Sequence, residues 1–468
     1  MLCAVGCCGA SVEFAAAREA WPQFRGANGS GIAADANPPL EFGPTEAVRW
    51  SVPIPWSPSS PVVWDDRIFL TTFHDGQLEV RCHDRTDGNL RWARPIKAEQ
   101  IEDHHRLDGS PAASTPATDG TLVVSYFGSF GLICHDLAGV EQWRQPMPVA
   151  LSVGQYGSGT SPIIVGQTVL LARDQFRYSA LLAFDLKSGR KLWEAPRPEV
   201  SGSFGTPAYW RNDGVDEVVL AATGHLKGYE VKTGVERWSV GGITGTICTS
   251  PVAGEGLIFF AGFSNHVVDT SSPSWDEFRK RYDTNGDGEV AHEEIPLERR
   301  DYWRGLDRNR DGKFTQEDWG IGKAQAVHFE NVLVAVKPGG RGDVSDTHVV
   351  WKFRRALPYV PSPLIYEGRI YFVKDGGIIS SLDVHTGDPF YAQERIPANG
   401  NYYASPVAAA GRIYVTSLPG KITVLKAGGT KPEVLHVADF GVRILATPAI
   451  VGESLYVRTA THLWAFGK

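Results

Sequence analysis

Two stretches carry side chains at spacings that could do chemistry. The first is Asp283-Thr284-Asn285-Gly286-Asp287-Gly288-Glu289-Val290-Ala291-His292-Glu293-Glu294. Oxygen side chains stand at its first, third and fifth positions (Asp283, Asn285, Asp287), glycine at the sixth (Gly288) and a carboxylate at the twelfth (Glu294). A hard cation such as Ca2+ takes six to eight oxygen ligands, and this spacing folds them onto one ion. Glu289 would offer its backbone carbonyl, and Glu294 could bind through both oxygens. A second frame, Asp307 to Asp318, repeats the pattern with Asp307, Asn309, Asp311 and Gly312, Lys313 at the place of Glu289, and Asp318 at the twelfth position. The shorter Asp318 predicts weaker binding, or a tilt toward Mg2+.

Both frames read as EF-hand loops, only 24 residues apart, so one short helix is expected to serve both. Helical patterning over Trp275–Tyr282 and from Pro296 to Leu306 supplies the flanks, and Val290 and Phe314, at the same loop position, should pair as a short β-bridge. From Asp276 to Asp318 there are 13 acidic and 9 basic side chains, an excess that two Ca2+ ions would offset.

The second stretch is a set of polar and aromatic residues on loops: His104, His105 and Arg106, then Tyr156, Tyr402, Tyr403 and Arg443. Neighbouring histidines point to opposite faces of a strand, so His104 and His105 suit a shared metal only from a loop. They are expected at one mouth of a channel, as binding candidates. No serine–histidine–aspartate, zinc or phosphate-loop pattern is present, and Gly339-Gly340-Arg341-Gly342 reads as a turn. No catalytic residue is assigned.

What positions these groups is a repeat. A Ser/Thr-Pro step followed by a strand-like run occurs at Ser60, Thr115, Ser161, Thr206, Ser250, Ser362, Ser405 and Thr447, at intervals of 55, 46, 45, 44, 112, 43 and 42 residues. A four-stranded blade takes roughly 40–50 residues. The long interval therefore holds an inserted module, expected over 264–328, between propeller segments 21–263 and 329–468. Late in each unit comes a turn signature: Asp84…Gly88…Trp92, Asp136…Gly139…Trp143, Asp185…Gly189…Trp193, Glu230…Gly234…Trp238 and Asp383…Gly387…Tyr391. The carboxylate opens a hairpin, glycine takes positive φ, and the aromatic ring lands where it can pack between blades. Eight units predict an all-β, eight-bladed β-propeller with a small α-helical EF-hand insertion. The last unit has room for only three strands, so Ala47–Val52, with its own Trp50, should complete the circle and remove the open edges.

The Asp-x-x-Thr-Gly-x-x-x-Trp spacing resembles the tryptophan-docking repeat of the pyrroloquinoline-quinone-like propellers, which include quinoprotein alcohol dehydrogenases and BamB-like envelope proteins. Trp21-Pro22-Gln23-Phe24-Arg25-Gly26 and Tyr126-Phe127-Gly128-Ser129-Phe130-Gly131 look like a planctomycete-type subgroup. The resemblance implies a dehydrogenase only if the quinone machinery is present. The one Cys-Cys pair is Cys7-Cys8, and no matching catalytic carboxylates appear, so pyrroloquinoline quinone is not expected. Cys82 and Cys134 stand two residues before the turn carboxylate, where other units have Ala183, Gly228 and Ser381; the slot wants a small residue, and no disulfide is expected.

Composition sets the remaining limits. With 468 residues, a net charge of −7, 51 glycines, 30 prolines and 14 tryptophans, the chain suits many short strands, and its acidity argues against a nucleic-acid partner. No apolar run is long enough to span a membrane. Residues 1–20 read as a signal or unstructured segment: the run to Ala15-Ala16-Ala17 resembles the back half of a secretion signal, although Glu13 and the missing positive charge depart from one. Lipidation at Cys7, after Ala4-Val5-Gly6, is an alternative. The function expected is a non-catalytic, monomeric, periplasmic or secreted scaffold that binds an envelope protein or polysaccharide and carries calcium in the insertion. The competing expectation is an enzyme, either a quinone-dependent oxidoreductase or a lyase or hydrolase that uses the His/Tyr/Arg mouth.

Overall fold

The third repeat shows why these sequences make blades. Thr168–Arg173 and Ala180–Asp185 are almost continuously apolar because other blades cover both faces of the sheet. The fourth strand, Lys191–Pro196, alternates, since only one side of it is covered. Asp185 opens the turn between them by accepting from the Ser188 N–H (2.9 Å) and hydroxyl (2.7 Å), and Gly189 sits at φ 69°.

In the computed structural model the described residues are 20–467, apart from 106, 153, 155, 176–177, 201, 246, 265–273, 297–306, 308–310 and 320–328. The signal-like segment up to residue 19, with Cys7 and Cys8, therefore lies outside them, as do Arg106, Asn309 and most of the second expected helix. The described strands form eight antiparallel blades of a β-propeller around one channel, plus a two-stranded ribbon in the insertion. The last blade consists of Ala449–Val451, Ser454–Arg458 and His462–Phe466, closed by Val48–Pro53, with Trp50 opposite Ala465. The N-terminal strand thus completes the circle as the repeat count predicts.

The turn signature works between blades. Trp50, Trp92, Trp143, Trp193 and Trp351 each lie against a glycine of the next blade's turn (Gly88, Gly139, Gly189, Gly234 and Gly387), so close that a Cβ there would stand within 2.7 Å of the indole. Each indole N–H also donates to a carbonyl of that turn: Arg85, Leu137, Leu186, Val231 and Val384, at 2.8–3.1 Å. Directly across the sheet from the ring is the small residue of each blade, as in Cys82–Trp92, Cys134–Trp143 and Ala183–Trp193. Cys82 and Cys134 are buried free thiols, pushed up to about 12 by burial.

Trp238 departs from the pattern. The fifth blade's hairpin is lengthened, and Gly342–Asp343 runs parallel beside Trp238 and Ser239. The indole instead donates to the buried Glu217 carboxylate at 2.7 Å and packs edge-on against Trp210.

The Ser/Thr-Pro steps form a second closure. Ser60 donates its N–H to the Thr115 hydroxyl, Thr115 to Ser161, Ser161 to Thr206, Thr206 to Ser250, Ser250 to Ser362, Ser362 to Ser405, Ser405 to Thr447, and Thr447 back to Ser60, at 2.9–3.1 Å. All eight residues are buried. The proline that follows each one has no N–H, so this hydroxyl relay satisfies backbone donors at the start of the innermost strands.

One end of the channel is crossed by the N-terminal segment. Trp21 pairs with Val63, and the Thr118 N–H donates to Pro22. The fully buried Arg25 then reaches the Pro363 carbonyl at 2.6 Å, on the far side of the ring. Gly31 and Ala33 bond to Ala408, Asn37 to Gly452, and the Phe42 carbonyl to His436 (2.7 Å). Burial lowers the Arg25 guanidinium to about 9.

The insertion leaves after Leu257–Gly262 and returns at Val332–Val336, where Gly262 pairs with Val332. Asn331 clamps this neck: its side chain accepts from the Ser264 N–H (2.8 Å) and donates to the Ser264 carbonyl (3.0 Å). Helix Trp275–Tyr282 begins in a capping box of Ser274 and Glu277. Val290 pairs with Phe314 as expected, over a core of Phe278, Tyr282, Val290, Ile295, Phe314 and Trp319.

Candidate functional site

The loops that precede the Ser/Thr-Pro steps gather at the end of the channel opposite the N-terminal crossing. They bring most of the expected mouth residues together. His105 is exposed and lies 5.5 Å, ring to ring, from Tyr156, which meets Phe204 edge-on at 6.3 Å. Arg443 pairs with Asp108 and donates to the Leu107 carbonyl at 2.8 Å, tying the loop before the last blade to the loop before the second. Tyr403 lies near Asp108, Asp375, Tyr156 and Arg443; its phenol is pushed up to about 12, by burial first and by those carboxylates next. Tyr359, in the same electrostatic neighbourhood, is likewise at about 12.

Two of the expected residues do not face the mouth with the others. Tyr402 is completely buried, and its hydroxyl donates to the Ala398 carbonyl, so it is a core residue between the sixth and seventh blades. His104 is half-buried and turns to Phe73 and the Glu102 carbonyl (3.1 Å), away from His105. Sequence reasoning missed Phe204, Tyr359, Asp108 and Asp375. They come from four different loops, and no local spacing joins them.

Beneath Tyr156 and Phe204 is a small polar cleft. Its wall includes Tyr126, Ser158, Arg173 and Asp174. Glu102 stands behind Ser158, almost completely buried, with one carboxyl oxygen accepting from the Ser158 hydroxyl at 2.7 Å. Its N–H donates to Ser129 at 2.9 Å. Gly128 makes the room: a Cβ there would stand 2.1 Å from both the Glu102 carboxyl and the Ser158 hydroxyl. Burial raises Glu102 from the ordinary 4.5 to about 7, although Ser158 and Arg173 pull the other way. The deeper wall is fixed by the buried pair Asp174–Arg197 (2.9 Å), with Arg197 also donating to the Tyr229 hydroxyl (2.7 Å).

The insertion loops hold the backbone shape a cation site needs. Gly288 and Gly312, at the sixth positions, have φ of 88° and 83°. Glu294 accepts from the N–H groups of Thr284 (2.8 Å), Asn285 (3.1 Å) and Ala291 (2.8 Å), which hold its carboxyl below the ordinary range against the opposing effect of burial. Asp283 accepts from Gly286 and Gly288, at 2.6 and 3.1 Å. In the second loop Asp307 and Asp318 are buried, Asp307 lies 3.3 Å from His292, and Lys313 turns its ammonium to Glu289 at 2.6 Å. The glycine turns are those a Ca2+ loop needs. The side chains themselves are turned to loop amides, and among the described residues no group of three or more His, Cys, Asp or Glu converges as a metal cluster.

The chain belongs to the family described as outer membrane protein assembly factor BamB, whose model matches residues 74–290 and 299–458. No curated protein matches the sequence. Among solved structures it is similar to BamB from Moraxella catarrhalis, with 12% identity, a TM-score of 0.56, and coverage of 89% of this chain and 98% of that one. It is also similar to the quinohemoprotein alcohol dehydrogenase ADHIIG from Pseudomonas putida HK5, with 10% identity, a TM-score of 0.56, and coverage of 96% and 80%. The quinohemoprotein alcohol dehydrogenase from Comamonas testosteroni matches with 13% identity, a TM-score of 0.51 and the same coverage, 96% and 80%. At these identities the likeness is one of fold, shared by BamB and by alcohol dehydrogenases. No helix among the described residues is long and apolar enough to cross a membrane.

Proposed function

We propose that the protein is a non-catalytic envelope scaffold, periplasmic or secreted, that engages a protein or polysaccharide chain at the open mouth and carries a calcium-ordered EF-hand insertion. One observation carries this reading. The channel is crossed at one end by residues 21–42, while the other end presents Tyr156, Phe204 and His105 in ring contact beside the Arg443–Asp108 pair. Tyrosine and arginine are enriched where interfaces concentrate their energy, because each offers a large apolar body and a polar tip. Membership in the family of an assembly factor supports a partner-binding role. The test is capture from envelope extract alongside a glycan array, comparing the full chain with Tyr156→Ala and Arg443→Ala. Ligands that both variants retain at full strength would refute the mouth as the binding face.

A quinone-dependent oxidoreductase is the second reading, favoured by the fold likeness to the alcohol dehydrogenases. Among the described residues the buried Cys82 and Cys134 and the half-buried Cys248 are free thiols, each pushed up to about 12 by burial. Dye reduction after addition of quinone and Ca2+ would establish it in place of the scaffold.

A further inference from the structure

The cleft under Tyr156 and Phe204 has a property that the mouth rim does not share. Two of its charged neighbours are almost wholly buried, yet each keeps one polar atom without a hydrogen-bond partner among the described residues: an oxygen of Glu102 and the Nε of Arg173. Their other atoms are engaged, Glu102 by the Ser158 hydroxyl (2.7 Å) and Arg173 by the Pro148 carbonyl. The Tyr126 hydroxyl interacts with both Ser158 and Arg173. A buried donor or acceptor left unmade is costly, so Arg173, which lines the cleft, calls for a polar visitor there, while Glu102 stands behind Ser158 and holds its hydroxyl in place. The space is about 10 Å3, enough for one water-sized group and no more.

We infer that this cleft is a subsite for the hydroxyl-bearing edge of a saccharide, whose ring rests outside against Tyr156 and Phe204. A hydroxyl both donates and accepts, so one buried sugar hydroxyl matches the Arg173 N–H together with the Ser158 and Tyr126 hydroxyls, where a simple anion or cation would match only one sign. The exposed Tyr156 ring and its edge-on neighbour Phe204 offer the apolar surface that the C–H face of a sugar covers. Gly128 is part of the device, because any side chain there would drive Glu102 and Ser158 apart.

This assignment rests on the mouth being the binding face, and the experiment separates the two. A glycan array of defined neutral and uronate oligosaccharides, followed by calorimetry on the strongest binder, is run with the full chain and with Ser158→Ala, Glu102→Gln and Tyr156→Ala. Circular dichroism checks that each variant is folded. The expected result is an oligosaccharide whose affinity falls about tenfold or more with Ser158→Ala or Glu102→Gln, and likewise for the deoxy analogue lacking the buried hydroxyl, since a site built to bond a hydroxyl discriminates strongly against its absence. An oligosaccharide weakened by Tyr156→Ala alone overturns the subsite and leaves the mouth standing. So does a protein ligand that needs Tyr156 when no oligosaccharide binds. If neither class binds in a Tyr156-dependent way, both readings fall.

Discussion

The ring and its insertion both depend on aromatic side chains, but they use them in opposite ways. In the ring each docked tryptophan leaves its own blade and settles on the next one's glycine, so packing is relayed from blade to blade. In the insertion Phe278 stacks on Trp319 at 4.4 Å, beside Trp275 and Phe314, and the rings turn to one another. The first arrangement spreads stability around a circle; the second concentrates it in a core of six residues, flanked by carboxylates that repel one another. Loss of a ring contact should therefore propagate, and loss of an insertion contact should stay local.

The strongest challenge to that contrast is removal of residues 1–55. This takes away the closing strand Val48–Pro53, Trp50 and the segment that crosses the channel. The whole ring should then lose its cooperative transition or melt more than about 10 °C lower. An unchanged melting temperature would mean that closure does not hold the ring.

Trp143→Ala should come next. It removes a ring docked on Gly189 and an indole bond to Leu186, and buried tryptophans cost roughly 3–5 kcal/mol on truncation. Urea unfolding should show one shifted transition; two separate transitions would show that the blades are not relayed.

A smaller effect concerns acidity. Glu102 holds its proton up to about 7 in the fold against 4.5 ordinarily. The folded state therefore binds the extra proton, and the resulting stabilisation is complete below about 4.5, declines as pH rises, and is gone above about 7. His135, pushed down to about 4 by burial, and His83, also lowered by burial, act with the opposite sign, losing stability as pH falls. Comparison with Glu102→Gln isolates the carboxyl: on going from pH 5 to pH 8 the variant should lose about 1–3 kcal/mol less unfolding free energy than the wild type, or gain that much more. Identical pH curves would place Glu102 in water.

The smallest effect on the ring should come from Glu294→Gln. The calorimetric heat of the stronger calcium site is expected to vanish, because a neutral amide replaces the bidentate carboxylate at the twelfth position. The ring's melting temperature should move by less than about 1 °C. A wild type with no calcium heat at millimolar concentrations would remove the metal from the proposal.

The sequence exposed what is repeated. Eight Ser/Thr-Pro steps counted the blades, since every blade must solve the same problem with its own copy of the solution, and the missing fourth strand of the last unit located its replacement at Trp50. What occurs once was hidden. Residues 21–42 meet blades distant from them in sequence, and nothing local in Trp21-Pro22-Gln23-Phe24-Arg25-Gly26 tells which carbonyl Arg25 will find. Trp238 keeps the glycine spacing of its siblings yet has no docking turn, because the partner hairpin, not its own, is altered. Tyr402 and Tyr403 are identical on paper, and their backbone directions send one to the core and the other to the mouth. Glu102 stands in a polar run with Asp103, His104 and His105, and nothing in that run marks it as buried; its burial depends on Gly128, some two dozen residues away, where the absence of a side chain is the signal.

The relay of hydroxyls around the channel has a further consequence. Each of the eight bonds runs in the same rotational sense, from the amide of one blade to the hydroxyl of the next. Such a circle has neither a beginning nor an end. The closing bond from Thr447 to Ser60 spans 387 residues of chain and is geometrically indistinguishable from its seven companions. A gene rewired to start at the step before Ser405, with the present termini joined, would be asked to form the same circle.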